Sequence, residues 1–152
     1  MSLIRKIIFV LCLIVFVGSA GVLAMYFFDG MKGQKELTAL KNMEALEDLE
    51  TDQGVVKGKF VPIYMKNKDL IGWITIEGTK IDFPVMQTKD SPEYYLRRDF
   101  NKERSTGGTP FLDSNSDIFK PTNNLMIYGH NMKNGTMFHD LVKFEEKDFW
   151  EK

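Results

Sequence analysis

Apolar and polar positions divide the chain into three stretches with different periods. Residues 7–28 carry no charged side chain. A helix over that run is about 33 Å long at about 1.5 Å per residue, enough to cross a bilayer core of about 30 Å. From 33 to 50 the apolar residues Leu37, Leu40, Met43, Leu46 and Leu49 recur at every third position among lysines and glutamates. This predicts a second helix over 33–50 whose apolar stripe winds, because a spacing of three drifts against 3.6 residues per turn. It reads as a packing or stalk helix that carries the domain away from the membrane, its charges a solvated face. Residues 51–59, with Gly54 and Gly58, end it and link to the rest.

Beyond Phe60 the pattern shortens to strands and turns. Apolar β-type runs at 72–76 and 80–86 flank a turn at Glu77, Gly78 and Thr79. Pro84 has no N–H to give a ladder, so it marks an edge or a bulge. Ser91, Pro92 and Glu93 follow the order of a helix cap, a first helical residue and an acid favoured by the dipole. They predict a short helix containing Tyr94, Tyr95 and Leu96. A polar loop over 101–108, a strand over 109–112 closed by Asp113, Ser114 and Asn115, a loop over 117–123 and a buried strand over 125–128 come next. Asn134 and Gly135 then form a turn pair, and Thr136 is placed to cap a helix starting at Met137 and Phe138. Leu141, Phe144 and Phe149 extend it as one or two helices, interrupted near 143–145. The sum is a mostly β domain with peripheral helices, α+β by content.

Composition narrows the function classes. The 152 residues suffice for one ordinary domain. With 20 basic and 21 acidic residues there is no positive field for nucleic acid. Cys12 is the single cysteine, which excludes an internal disulfide and a cysteine-based zinc site. It lies within the apolar run, where a thiol is inert. That run is longer than the apolar part of a cleaved signal peptide, although Gly18, Ser19 and Ala20 offer small residues for cleavage. A lipoprotein signal needs a small residue before Cys12, and Leu11 stands there. The run therefore reads as an uncleaved anchor. Arg5 and Lys6 on one side are matched by Lys32, Lys35 and Lys41 on the other, so the positive-inside count leaves its orientation open. The division expected is a tail over 1–6, an anchor over 7–28, a stalk and linker over 29–59 and a globular part over 60–152.

Candidate chemistry centres on His130, delivered by Tyr128 and Gly129 to the start of a polar loop. A ring so placed faces a cleft while the sheet holds its backbone. It can equally be a histidine that closes a strand and bonds a backbone carbonyl. His139 reads as a surface or half-buried helix residue. The two histidines lie nine apart across a loop, unlike a metal pair on one helical face. Asp113 is a possible partner orienting His130, and a turn-capping aspartate is the simpler account. No nucleophile elbow of the Gly-x-Ser-x-Gly type is present.

Several short motifs in order resemble the N-terminal portion of a class B sortase. They begin with the anchor and continue through Ile71-Gly72-Trp73-Ile74-Thr75-Ile76 and Gly78-Thr79-Lys80-Ile81-Asp82-Phe83-Pro84-Val85. Tyr94-Tyr95-Leu96, Asp99-Phe100 and Gly108-Thr109-Pro110-Phe111-Leu112-Asp113 follow. Tyr128-Gly129-His130-Asn131-Met132 and Gly135-Thr136-Met137-Phe138 close the series. The resemblance implies part of a closed eight-stranded β-barrel with peripheral helices. It implies a single-pass protein of a Gram-positive cell membrane, with a cytoplasmic N-terminal tail and an extracellular C-terminal domain. The activity implied is cysteine-type transpeptidation, in which a thiolate cleaves a secreted protein at its C-terminal sorting motif. A peptidoglycan precursor or pilin amine then takes the acyl group. No metal or other cofactor is implied. His130 matches the catalytic histidine, and Leu96 falls where the family's substrate groove is lined. Pro92 stands where the family often has asparagine.

The family's cysteine and arginine lie downstream of its histidine. After His130 this sequence has neither, and Arg97, Arg98 and Arg104 all precede it. The expectation is therefore a sortase-like chain that ends before its nucleophile, inactive alone, marginal in stability and open at its strand edges. The alternative is a non-catalytic membrane-anchored remnant, or a substrate-binding half that needs a separate C-terminal part.

Overall fold

The computed structural model describes residues 3–52, 54–120 and 124–151. Part of the expected 117–123 loop, at 121–123, lies outside the described residues, as do the first two residues of the tail. A single helix α1 (Leu3–Lys41) contains the whole apolar run and continues beyond it. It is long and apolar enough to cross a membrane, and its apolar window is unburied by the protein.

The expected helix over 33–50 is corrected at both ends. There is no break between anchor and stalk, and α1 stops at Lys41. The Leu46 N–H donates to the Gly58 carbonyl (3.0 Å), and Asp48 accepts from the Gly58 N–H (2.7 Å) and the Lys57 ammonium (2.8 Å). These cross-links draw 46–58 into a hairpin, β1 (Leu49–Thr51) against β2 (Gly54–Val56), antiparallel. Leu46 and Leu49 thus leave the helical stripe. The last turns of α1 pack against the domain. Leu40 is buried with Ile63, Leu70, Met86, Tyr95, Phe100 and Phe111, and Leu37 packs on a second cluster of Ile81, Phe83, Met137 and Phe138. Lys41 pairs with Asp82 at 2.6 Å.

After α2 (Val61–Lys66), four strands form one sheet: β3 (Leu70–Thr75), β4 (Asp82–Met86), β5 (Phe111–Leu112) and β6 (Ile127–Tyr128). The order is β3-β4-β5-β6, with β4 and β5 parallel and the other pairs antiparallel. Among the described residues this sheet is open and no barrel closes. Pro84 sits opposite Trp73, while β5 meets β4 only at Met86. β4 is thus an inner strand and not an edge, but its pairing with β5 stops short of Pro84, so the missing N–H faces no second strand, and the bulge in this pair lies in β3 between Leu70 and Gly72.

The short helix after Pro92 is a 3-10 turn, Tyr94–Arg97, that starts later than the cap pattern suggests. Ser91 offers its carbonyl to the Tyr94 N–H (2.9 Å), and no side chain caps the turn. Thr136 likewise does not cap. Its hydroxyl donates to Asn134 (2.7 Å), and Met137, at φ 56°, starts a 3-10 helix, Phe138–Glu145. A short α3 (Lys147–Trp150) follows the interruption. Asp140 clamps this segment to the β3–β4 turn by accepting the Lys80 N–H at 2.7 Å, and Lys143 pairs with it at 3.1 Å. Those two contacts hold its carboxyl below the ordinary carboxylate range.

Candidate active site

His130 follows Gly129 at the end of β6. The strand is shorter than 125–128 and is not buried, since Leu125, Met126 and Tyr128 are all more than two-fifths exposed. What fixes the histidine is the loop behind it. Its carbonyl accepts the Phe138 N–H at 2.9 Å, and Asn131 bridges Met137, so 131–137 returns on itself. The Asn134-Gly135 turn does form, with Gly135 at φ 78° and its N–H on the Met132 carbonyl. Gly129 permits the close fit, because a Cβ there would lie 2.7 Å from the Phe138 ring.

The imidazole is half-buried, and its Nε2 lies 2.9 Å from the backbone carbonyl oxygen of Leu96. A carbonyl only accepts, so Nε2 carries the proton in this arrangement and Nδ1 is the nitrogen left for proton transfer. The Leu96 carbonyl is itself held from below. Tyr95 is fully buried, its phenol donating to Asp69 (2.7 Å) and accepting from Asn67 (2.8 Å). Burial pushes that phenol up, and the Asp69 carboxylate adds to the shift. The Thr109 N–H donates to the Tyr95 carbonyl at 3.0 Å. Gly108, at φ 60°, passes so close that a Cβ on it would meet the Tyr95 and Leu96 carbonyl oxygens at 2.5 Å. The sequence signals this shelf only as two adjacent glycines in a polar loop.

Leu96 is half-buried against the core and borders an open hollow of about 250 Å³ shared with Pro92, Phe111, Tyr128 and Gly129. The fold thus brings His130 and Leu96 together through the leucine's backbone carbonyl. Asp113 also borders the hollow, but it bonds Asn115 (2.8 Å) as a turn-capping aspartate and not His130. His139 is engaged with Asn131 (3.0 Å) and is half-buried. Among the described residues no cluster of histidine, cysteine and carboxylate side chains is arranged to hold a metal. Arg97, Arg98 and Arg104 line a separate hollow.

Comparison with known proteins assigns the chain to a family. No protein-family model matches it. Sortase B of Listeria monocytogenes is 37% identical over 139 residues, covering 84% of this chain and 56% of its own length. The chain belongs to the class B sortases. A crystal structure of sortase B from Bacillus anthracis superimposes with a TM-score of 0.72 at 31% identity, covering 82% of this chain and 59% of that one. A substrate complex of Staphylococcus aureus sortase B gives 0.59 at 27% identity, covering 89% and 56%. The chain thus spans little more than half the length of each of these sortases.

Proposed function

We propose that this chain carries the histidine-bearing half of a class B sortase active site, in a cysteine transpeptidase anchored to the membrane by the apolar part of α1. The observation that carries the reading is the His130 imidazole fixed on the backbone carbonyl of Leu96, a residue that borders the hollow. Within these 152 residues no cysteine or arginine follows His130, and Cys12 sits in the apolar run.

In that reaction a thiolate attacks the backbone carbonyl after the sorting motif's threonine. The C–N bond breaks, and the leaving amine takes a proton from the His130 imidazolium. The thioacyl intermediate is then attacked by an amine of a peptidoglycan precursor or pilin, which loses its proton to His130 as the thiolate leaves. An arginine steadies the oxyanion. The substrates are secreted proteins bearing the motif, and the hollow beside Leu96 is where the motif would lie.

The test is a chimera of this chain with the portion of the Listeria enzyme that it does not match, assayed on sorting-motif peptides. Cleavage that falls by about 100-fold or more in His130→Ala supports the assignment. Cleavage unaffected by that change overturns the role of His130. A folded chimera that cleaves nothing favours a non-catalytic, membrane-anchored protein.

A further inference from the structure

Three of the four arginines, Arg97, Arg98 and Arg104, line one open hollow of about 410 Å³ with Ser105 and Thr106. Arg98 and Arg104 face each other across an antiparallel bridge, and the Ser105 N–H donates to the Arg97 carbonyl at 3.0 Å. Like charges directly opposite each other repel and destabilise the pairing. Among the described residues none of the three has a carboxylate partner, although Asp29, Asp99 and Glu103 are close in the fold. Asp29 is taken by the Thr106 N–H and hydroxyl (2.8 and 2.5 Å), Glu103 by Lys32, and Asp99 by the Glu103 N–H (2.8 Å) and Lys32 (3.8 Å). Arg98 is steadied by the Lys102 carbonyl (2.9 Å) and the Tyr94 ring, and Arg97 and Arg104 are exposed.

The hollow's place in the chain supplies the missing anion. Asp29 is the residue directly after the apolar run 7–28. The bonds from Thr106 to Asp29 therefore pin the arginine hollow to the level at which α1 leaves the hydrocarbon. Guanidinium forks match phosphate oxygens, and each basic group near an anionic leaflet adds to binding. We infer that the Arg97/Arg98/Arg104 hollow is a binding site for the phosphate of an anionic phospholipid headgroup, which seats the domain on the membrane from which α1 emerges. This rests on α1 spanning the membrane.

The test uses the full chain in nanodiscs of phosphatidylcholine alone and of phosphatidylcholine with phosphatidylglycerol. Phenylglyoxal modification of each arginine and amide exchange along α1 are both read by mass spectrometry. We expect modification of Arg97 and Arg104 to slow by about tenfold in the anionic discs. We expect Arg97 to lose that protection in Arg104→Gln. Equal modification in both discs, with α1 amides over 7–28 protected, overturns the lipid site and leaves the anchor intact. Unprotected α1 amides overturn both readings together. Protection unchanged by Arg104→Gln reduces the effect to general surface charge and overturns the site. Equal protection in neutral discs by added glycerol 3-phosphate assigns the hollow to a soluble phosphate and overturns the lipid assignment.

Discussion

The His130 Nε2 and the Leu96 carbonyl oxygen, 2.9 Å apart, join the two halves of the candidate site across 34 residues of sequence. The bond fixes the ring's tautomer as well as its direction, since the carbonyl can only accept. Nitrogen-15 NMR of the imidazole is therefore expected to show a protonated Nε2 and a bare Nδ1 once the ring is neutral. The reverse pattern would mean that the ring has left the shelf.

Gly108 sets the height of that shelf. Substitution by alanine forces a left-handed φ on a residue with a Cβ and drives that Cβ against two backbone carbonyl oxygens. Neither oxygen is the end of a flexible side chain. Gly108→Ala should therefore cost about 2–4 kcal/mol of stability and disturb the His130 tautomer. Denaturant unfolding and the same NMR signal check it. A change below about 0.5 kcal/mol with the signal intact would show that the loop yields without effort.

What is legible in the sequence depends on the range of the interactions. The apolar run, the β3–β4 pair and the Asn134-Gly135 turn are encoded within a few residues of themselves, and each formed. Motif resemblance marks both His130 and Leu96, but nothing local says that a carbonyl 34 residues away receives the ring. The helix expected over 33–50 stops at Lys41 for the same reason. Leu46 and Leu49 keep a helical spacing, yet Gly58 and Lys57 offer 46–58 a better set of partners in a hairpin. The two cap assignments failed because Ser91 and Thr136 have other hydrogen-bond roles in the tight 3-10 geometry.

The outer edge of β6 is open among the described residues. Among the described residues β6 pairs only with β5, and Leu125, Met126 and Tyr128 stand exposed beside it. An open strand edge flanked by apolar side chains recruits other strands. In detergent micelles the chain is expected to self-associate and to unfold without a sharp two-state transition. Met126→Lys should reduce the association, as read by light scattering, with the far-ultraviolet circular dichroism unchanged. A monodisperse wild-type chain with a sharp transition would sink this expectation.

Glu36 makes the seating of α1 on the domain depend on pH. It lies beyond the apolar run, hydrogen-bonded by Asn101 and flanked by Lys32, Asp99 and Glu103. Burial, followed by the Asp99 charge, pushes its carboxyl from 4.5 up to about 7, against the pull of Asn101 and Lys32. The docked helix therefore holds a proton that the undocked one releases near 4.5. By linkage this contribution is fully present below about 4.5, falls as the pH rises through about 7 and is flat beyond it. Asp140 works in the opposite sense and in a lower window, because its depressed carboxyl loses stability only as the pH drops below the ordinary carboxylate range. Exchange of the 99–106 amides, measured between pH 5 and pH 8 and corrected for intrinsic rates, should report weaker protection at the higher pH. Glu36→Gln should flatten that slope and leave the helix more firmly docked at pH 8. An equal slope in the variant would assign the dependence to another group.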